Sequence, residues 1–401
     1  MLQRYLSIFI AVMSSIVAVA VVAVIWLLVL YPTRTATTAS SLIPDWVAIT
    51  AEGELQLHHN GYTRVLRRDA VPEVATLPVV SADGMRIAYL RHDAAQVVLS
   101  VFVLADGTLI DVYRADDAIP RMIHWSPNGQ YLAFATTADA VMVVASDGTQ
   151  PAIKVAHGAL TFMDWSPTSD AVLVRLGRLG RDGGLLGVYD VAQQRIVVSH
   201  SDVGDFQSAQ WDDTGNGYYY VVDAGINDQL STSQAVIRYQ QRDGIHVDIV
   251  DEGLATIRLL PAPQSAQLAY IVSRGDAREL RIWRNGQLDT IATNQPLTAW
   301  WSPDARMLAT LTVVDDTQLR WEVIDVTSGT VRVLSTFTPN DSMIDVLRYF
   351  DGESFTPWSS DGRWLLTTTR DIVQAQAVTG GSVVPLGPGM YAQWMSTDLV
   401  P

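Results

Sequence analysis

A tight turn behind a tryptophan returns along this chain at intervals. It is clearest where His124-Trp125 runs into Ser126-Pro127-Asn128-Gly129 and out through Tyr131-Leu132-Ala133-Phe134. Proline presets φ at the second turn position, asparagine or aspartate tolerates the bend, and glycine takes the positive φ. The alternating residues on either side suit antiparallel pairing across it. Further copies are Trp165-Ser166-Pro167, Trp211-Asp212-Asp213, Trp301-Ser302-Pro303-Asp304 and Trp358-Ser359-Ser360-Asp361-Gly362. Trp125 and Trp165 lie 40 residues apart, Trp165 and Trp211 lie 46 apart, and Trp211 and Trp301 lie 90 apart, or two periods. The missing anchor falls midway, where Pro261 takes the tryptophan slot ahead of Leu268-Ala269-Tyr270. An earlier degenerate copy is Val80-Ser81-Ala82-Asp83-Gly84. Repeats of about 40–45 residues with four short strands each predict a β-propeller.

The two ends of the repeat region complete each other. Trp46–Thr50, Glu54–His58 and Thr63–Leu66 read as second, third and fourth strands with no turn before them, and Tyr391–Ser396 reads as a first strand whose blade never follows. Joined, they make a closing blade and leave the ring no open edge. Seven further blades start near Val80, Trp125, Trp165, Trp211, Pro261, Trp301 and Trp358. The fold expected is therefore an all-β propeller of eight four-stranded blades closed by a C-terminal strand. Seven blades is the alternative, should one degenerate repeat be an elaborated loop. Trp125, Trp165, Trp211, Trp301, Trp358 and Trp394 are expected to be structural anchors packed between sheets, not ligand contacts.

The residues before the propeller read differently. Tyr5–Tyr31 carries no charge and is mostly Ile, Val, Ala and Leu. A bilayer core takes about 20 helical residues, so 1–31 is expected to be a retained N-terminal transmembrane helix. The rival reading, a cleaved secretory signal, has a shorter apolar stretch of roughly 7–15 residues. Arg4 precedes the segment and only Arg34 follows it closely, a thin bias toward a cytoplasmic N-terminus and an extracytoplasmic propeller. Residues 32–44, rich in Thr, Ser and Ala, read as a flexible linker, and 45–401 as the propeller domain.

Composition and motifs narrow the function. A net charge of −15 argues against nucleic acid, whose phosphates need clustered Lys and Arg. The absence of cysteine excludes disulfides, thiolate metal sites and cysteine nucleophiles. No Gly-x-Ser-x-Gly elbow occurs, and too few residues follow the last blade for a hydrolase domain. The seven histidines are scattered, without a His-x-x-x-His pair and its glutamate. Asp212–Gly217 superficially suggests a calcium loop but lacks the terminal glutamate and reads as an ordinary turn. Asp325-Val326-Thr327-Ser328-Gly329 approaches the repeat of eight-bladed quinone-cofactor dehydrogenases, yet no tryptophan follows it. No catalytic, cofactor-binding or metal residue is nominated.

The Trp-Ser-Pro-Asp/Asn-Gly turn followed by Tyr-Leu-Ala-Phe resembles the repeat of TolB-like propellers, a WD-repeat-like group, over residues 46–396. It is also similar to the propellers attached to prolyl-oligopeptidase-type peptidases. It departs from true WD repeats in lacking the Gly-His dipeptide, and Trp211-Asp212 is the sole Trp-Asp. The resemblance implies the fold, and a surface presented to partners.

In such a meander the first-to-second and third-to-fourth turns share one face of the disc, and the remaining connections share the other. The first set is tight here; the second holds the long stretches Leu176–Leu185, Asp223–Gln234 and Ser335–Phe355. The last carries Met343, Ile344, Leu347, Arg348, Tyr349 and Phe350, expected to contact a partner because a solvated loop needs no apolar side chains. The linker enters from the tight-turn face, which is expected to lie nearer the membrane. The function expected is a membrane-anchored, extracytoplasmic, non-catalytic protein-binding or scaffold module. The alternative is a small-molecule or glycan-binding or hydrolytic propeller that uses the central channel mouth.

Overall fold

In the computed structural model the turn behind each anchor forms as its residues dictate. Ser126 Oγ accepts the Tyr131 N–H at 2.9 Å and donates to Asn128 Oδ1 at 2.8 Å, while Gly129 takes a φ of 67°. Ser302 with Asp304, Ser359 with Asp361 and Ser81 with Asp83 repeat that pattern at 2.7, 2.6 and 2.5 Å. The serine hydroxyl caps the turn from inside and is fully buried in each copy. The structure describes residues 43–72, 78–158, 162–176, 184–203, 209–223, 234–284, 286–291, 295–341, 343, 344, 347 and 355–396.

Among the described residues the strands form eight antiparallel blades within the unit Pro44–Pro401. Blade 1 is composite: Tyr62–Arg67, Leu55–His59 and Trp46–Ile49 are followed by Tyr391–Trp394 from the far end of the chain. Blades 2 to 7 are four-stranded meanders over 79–115, 120–157, 162–203, 210–254, 256–291 and 296–337. Blade 8 pairs Trp364–Thr369, Ile372–Ala377 and Val384–Pro388, with its inner position held by the bridge Trp358↔Leu365. Blades 4 and 5 are also joined by one pair, Val203 of the outer strand of blade 4 with Val222 of the second strand of blade 5. This is the eight-bladed ring that the turn spacing predicts. The anchor expected over 1–31, and linker residues up to 42, lie outside the described residues; among those described, no helix is long and apolar enough to cross a membrane.

The closing strand is held on both sides. Trp46 pairs with Trp394 and Ile49 with Tyr391 in blade 1. On its other side Gln393 Oε1 accepts the Val80 N–H of blade 2 at 3.0 Å, and Ser396 Oγ donates to the Ser81 carbonyl at 3.0 Å.

Successive strand residues point to opposite faces, yet Leu132, Ala133 and Phe134 are all fully buried. Each sheet packs both faces against its neighbours, so the core lies between blades. Ile271, Leu280 and Ile282 of blade 6, for example, cluster with Trp301, Leu308 and Ile324 of blade 7.

The anchor tryptophans do more than fill that space. Each indole N–H reaches the preceding blade and donates to the carbonyl one residue before that blade's own anchor position. The bonds are Trp125 to Val79, Trp211 to Asp164, Trp301 to Leu260, Trp358 to Trp300 and Trp394 to Pro357, at 2.8, 3.2, 2.8, 2.9 and 2.8 Å. Trp165 breaks the series. Its Nε1 is buried without a partner, and the inner strand it faces is bulged between Arg121 and His124, with Met122 at a φ of 50°.

Candidate functional site

The face with the long connections is built at blades 7 and 8 from two hairpin tips and the loop that joins the blades. In blade 7 the strands Met307–Asp315 and Gln318–Asp325 meet at a tip where Val313 and Val314 are 45 % and 44 % exposed. The pairing register shifts between Val313 and Asp315, which breaks the strand alternation where both side chains face solvent. Asp315 Oδ1 then closes the turn, accepting the Thr317 N–H and hydroxyl, both at 2.8 Å. The Thr317 N–H holds the Asp315 carboxyl below its ordinary range. In blade 8 the corresponding tip exposes Ile372 by 42 %.

The connection between these blades leaves Phe337, takes helical backbone at Asp341, Met343, Ile344 and Leu347, and returns inward to Trp358. Asn340 fastens its start. Its Oδ1 accepts the Met343 N–H at 2.9 Å, and its Nδ2 donates to Asp371 in the blade 8 hairpin at 3.3 Å.

The six loop residues nominated from sequence do not share one role. Met343 is only 3 % exposed and packs in the core with Trp300, Trp321, Phe355 and Trp358, so the fold itself accounts for its apolarity and it offers nothing to a partner. Leu347 packs part-buried against the same core. Ile344 is 39 % exposed, one turn after the Asn340 that bonds to the blade 8 hairpin. Arg348, Tyr349 and Phe350 lie outside the described residues. Sequence reading missed Val313, Val314 and Ile372, because strand alternation would turn one residue of Val313-Val314 inward.

Other polar groups that draw the eye hold the structure together. His58 stacks flat on Trp46 at 3.6 Å, and burial pushes its imidazole down to about 4. Burial does the same to His124, also to about 4. Asp212 spends its carboxylate on the Thr214 and Tyr239 hydroxyls at 3.0 and 2.6 Å, as befits a turn. Glu252, almost wholly buried at the edge of blade 5, is met by Arg274, Arg281 and the Tyr270 hydroxyl of blade 6.

No family model and no curated protein matches the chain. Solved structures do. A eukaryotic initiation factor is similar at a TM-score of 0.55 and 11 % identity, over 88 % of this chain and 98 % of that one. Prolyl endopeptidases are similar at 0.53 and 12 %, over 80 % of this chain; the chain spans only 51 % of their length. TolB from Acinetobacter baumannii overlays more loosely, at 0.41 and 10 %, over 77 % of this chain and 81 % of that one. Likeness at such identities is likeness of fold. The chain is an eight-bladed β-propeller that counts TolB proteins among its structural neighbours.

Proposed function

We propose that the chain serves as a membrane-anchored, extracytoplasmic propeller that binds another protein and carries out no chemistry of its own. The observation that carries this reading is the set of exposed aliphatic side chains Val313, Val314, Ile344 and Ile372, on adjacent blades and on one face. Apolar surface left in water forgoes about 25 cal/mol per Å², which a partner covering the tips would recover. Asp315, Asp316, Asp341 and Asp371 stand around them, a rim suited to a partner that brings Arg or Lys. The anchor rests on the uncharged run Tyr5–Tyr31, and the side of the membrane on the Arg4 and Arg34 bias.

The test is crosslinked recovery from native membranes with the full-length protein, a Val313→Asp/Val314→Asp variant, and Ile245→Asp as a control on another blade. A protein recovered with the wild type and the control but lost with the double variant is the outcome expected. An identical partner list for all three sinks the reading. Protease added to intact cells should cut the propeller; full protection would place it on the other side.

A further inference from the structure

An open cleft of about 410 Å³ lies between blades 3 and 4, on the opposite, tight-turn face. Sites for small ligands run roughly 300–1,000 Å³. Gln130, Tyr131 and Gln150 line it from blade 3, and Tyr189 and Gln194 from across the seam in blade 4. Tyr189 is 2 % exposed yet borders the cleft, and among the described residues its hydroxyl has no hydrogen-bond partner. Among the described residues the Tyr131 hydroxyl, at the same cleft, has none either. Tyr131 and Tyr189 thus line the one cleft from two blades, and burial, then the nearby Asp190 and Tyr131, raise the Tyr189 hydroxyl above its ordinary value.

The charges at the cleft are already engaged. Arg86 donates to Ser146 Oγ at 3.0 Å and lies over the Trp125 ring at 5.2 Å. Asp147 accepts the Thr149 N–H and hydroxyl at 3.0 and 2.8 Å. What remains available is neutral: the side-chain amides of Gln130, Gln150 and Gln194 and two phenols, beside the aliphatic surface of Ile153 and Val191. Amides both donate and accept, as ring hydroxyls of a sugar require, and aromatic or aliphatic surface suits its C–H faces. A phosphate or carboxylate would meet no uncommitted cation here.

We propose that this cleft binds a neutral saccharide, as a second site independent of the protein-binding face. The test uses the full-length protein in lipid nanodiscs. It is titrated with maltotetraose, cellotetraose, mannotetraose and chitotetraose, with tetragalacturonate and a proline-rich peptide as competitors of other chemistry. Calorimetry reads binding, as does tryptophan fluorescence, since Trp165 stacks on Tyr131 at 6.2 Å. At least one neutral tetrasaccharide should saturate in the millimolar range or tighter. Tyr189→Phe and the surface change Gln150→Ala should each weaken it roughly three- to tenfold, the worth of one neutral hydrogen bond, and Val313→Asp should leave it unchanged. No saturation by any neutral member up to about 10 mM overturns the proposal. So does saturation indifferent to both cleft variants, or tighter binding of the acidic sugar or the peptide.

Discussion

His58 and His124 show how a single residue sets the response of the molecule to acid. Each is buried as the neutral imidazole with its value near 4, against 6.5 in the unfolded chain. Between those two pH values the unfolded state binds more protons, so stability falls as pH drops from 6.5 towards 4. The loss is up to about 3 kcal/mol per imidazole, less for the partly solvated His58. Melting temperatures measured across that window should decline in the wild type and decline less in His124→Leu; parallel curves would refute the assignment. Sequence alone places His124 beside an anchor tryptophan, and that much was legible. The missing partner of its Nε2 was not, because that depends on what the neighbouring strands bring to the ring.

At the scale of the strand and its turn, the recurring Trp-Ser-Pro-Asn-Gly run was readable because turn chemistry is local. The indole latch was not, since its acceptor belongs to the preceding blade and is set by the alignment of two sheets. The loop 335–355 was legible as long and apolar, but a loop has no period to say which side chains turn inward, and Met343 does. The cleft between blades 3 and 4 draws its wall from residues spread between 86 and 194, so no stretch of sequence displays it. The latch makes a prediction. Trp358 and Trp165 are both buried, but only Trp358 has an acceptor for its indole N–H. Trp358→Phe should therefore cost about 1–2 kcal/mol more than Trp165→Phe, which removes a buried donor that was never satisfied. Equal costs in urea unfolding would mean the latch adds nothing beyond packing.

Over the whole molecule, ring geometry distributes stability among seams between neighbours, and the seam at blade 1 is made from both ends of the propeller. Deleting residues from Tyr391 onward would strip blade 1 of its inner strand and remove the Gln393 and Ser396 bonds to blade 2. Such a truncation should broaden the unfolding transition and speed proteolysis near Trp46; an unchanged, sharp transition would show that the ring holds without its clasp. The same clasp has a bearing on biosynthesis. The first three strands of the propeller to leave the ribosome are among the last to be finished, because their fourth member is made some three hundred residues later. Until then the strand from Trp46 to Ile49 waits with a bare hydrogen-bonding edge, exposed to pairing with the wrong chain for most of translation.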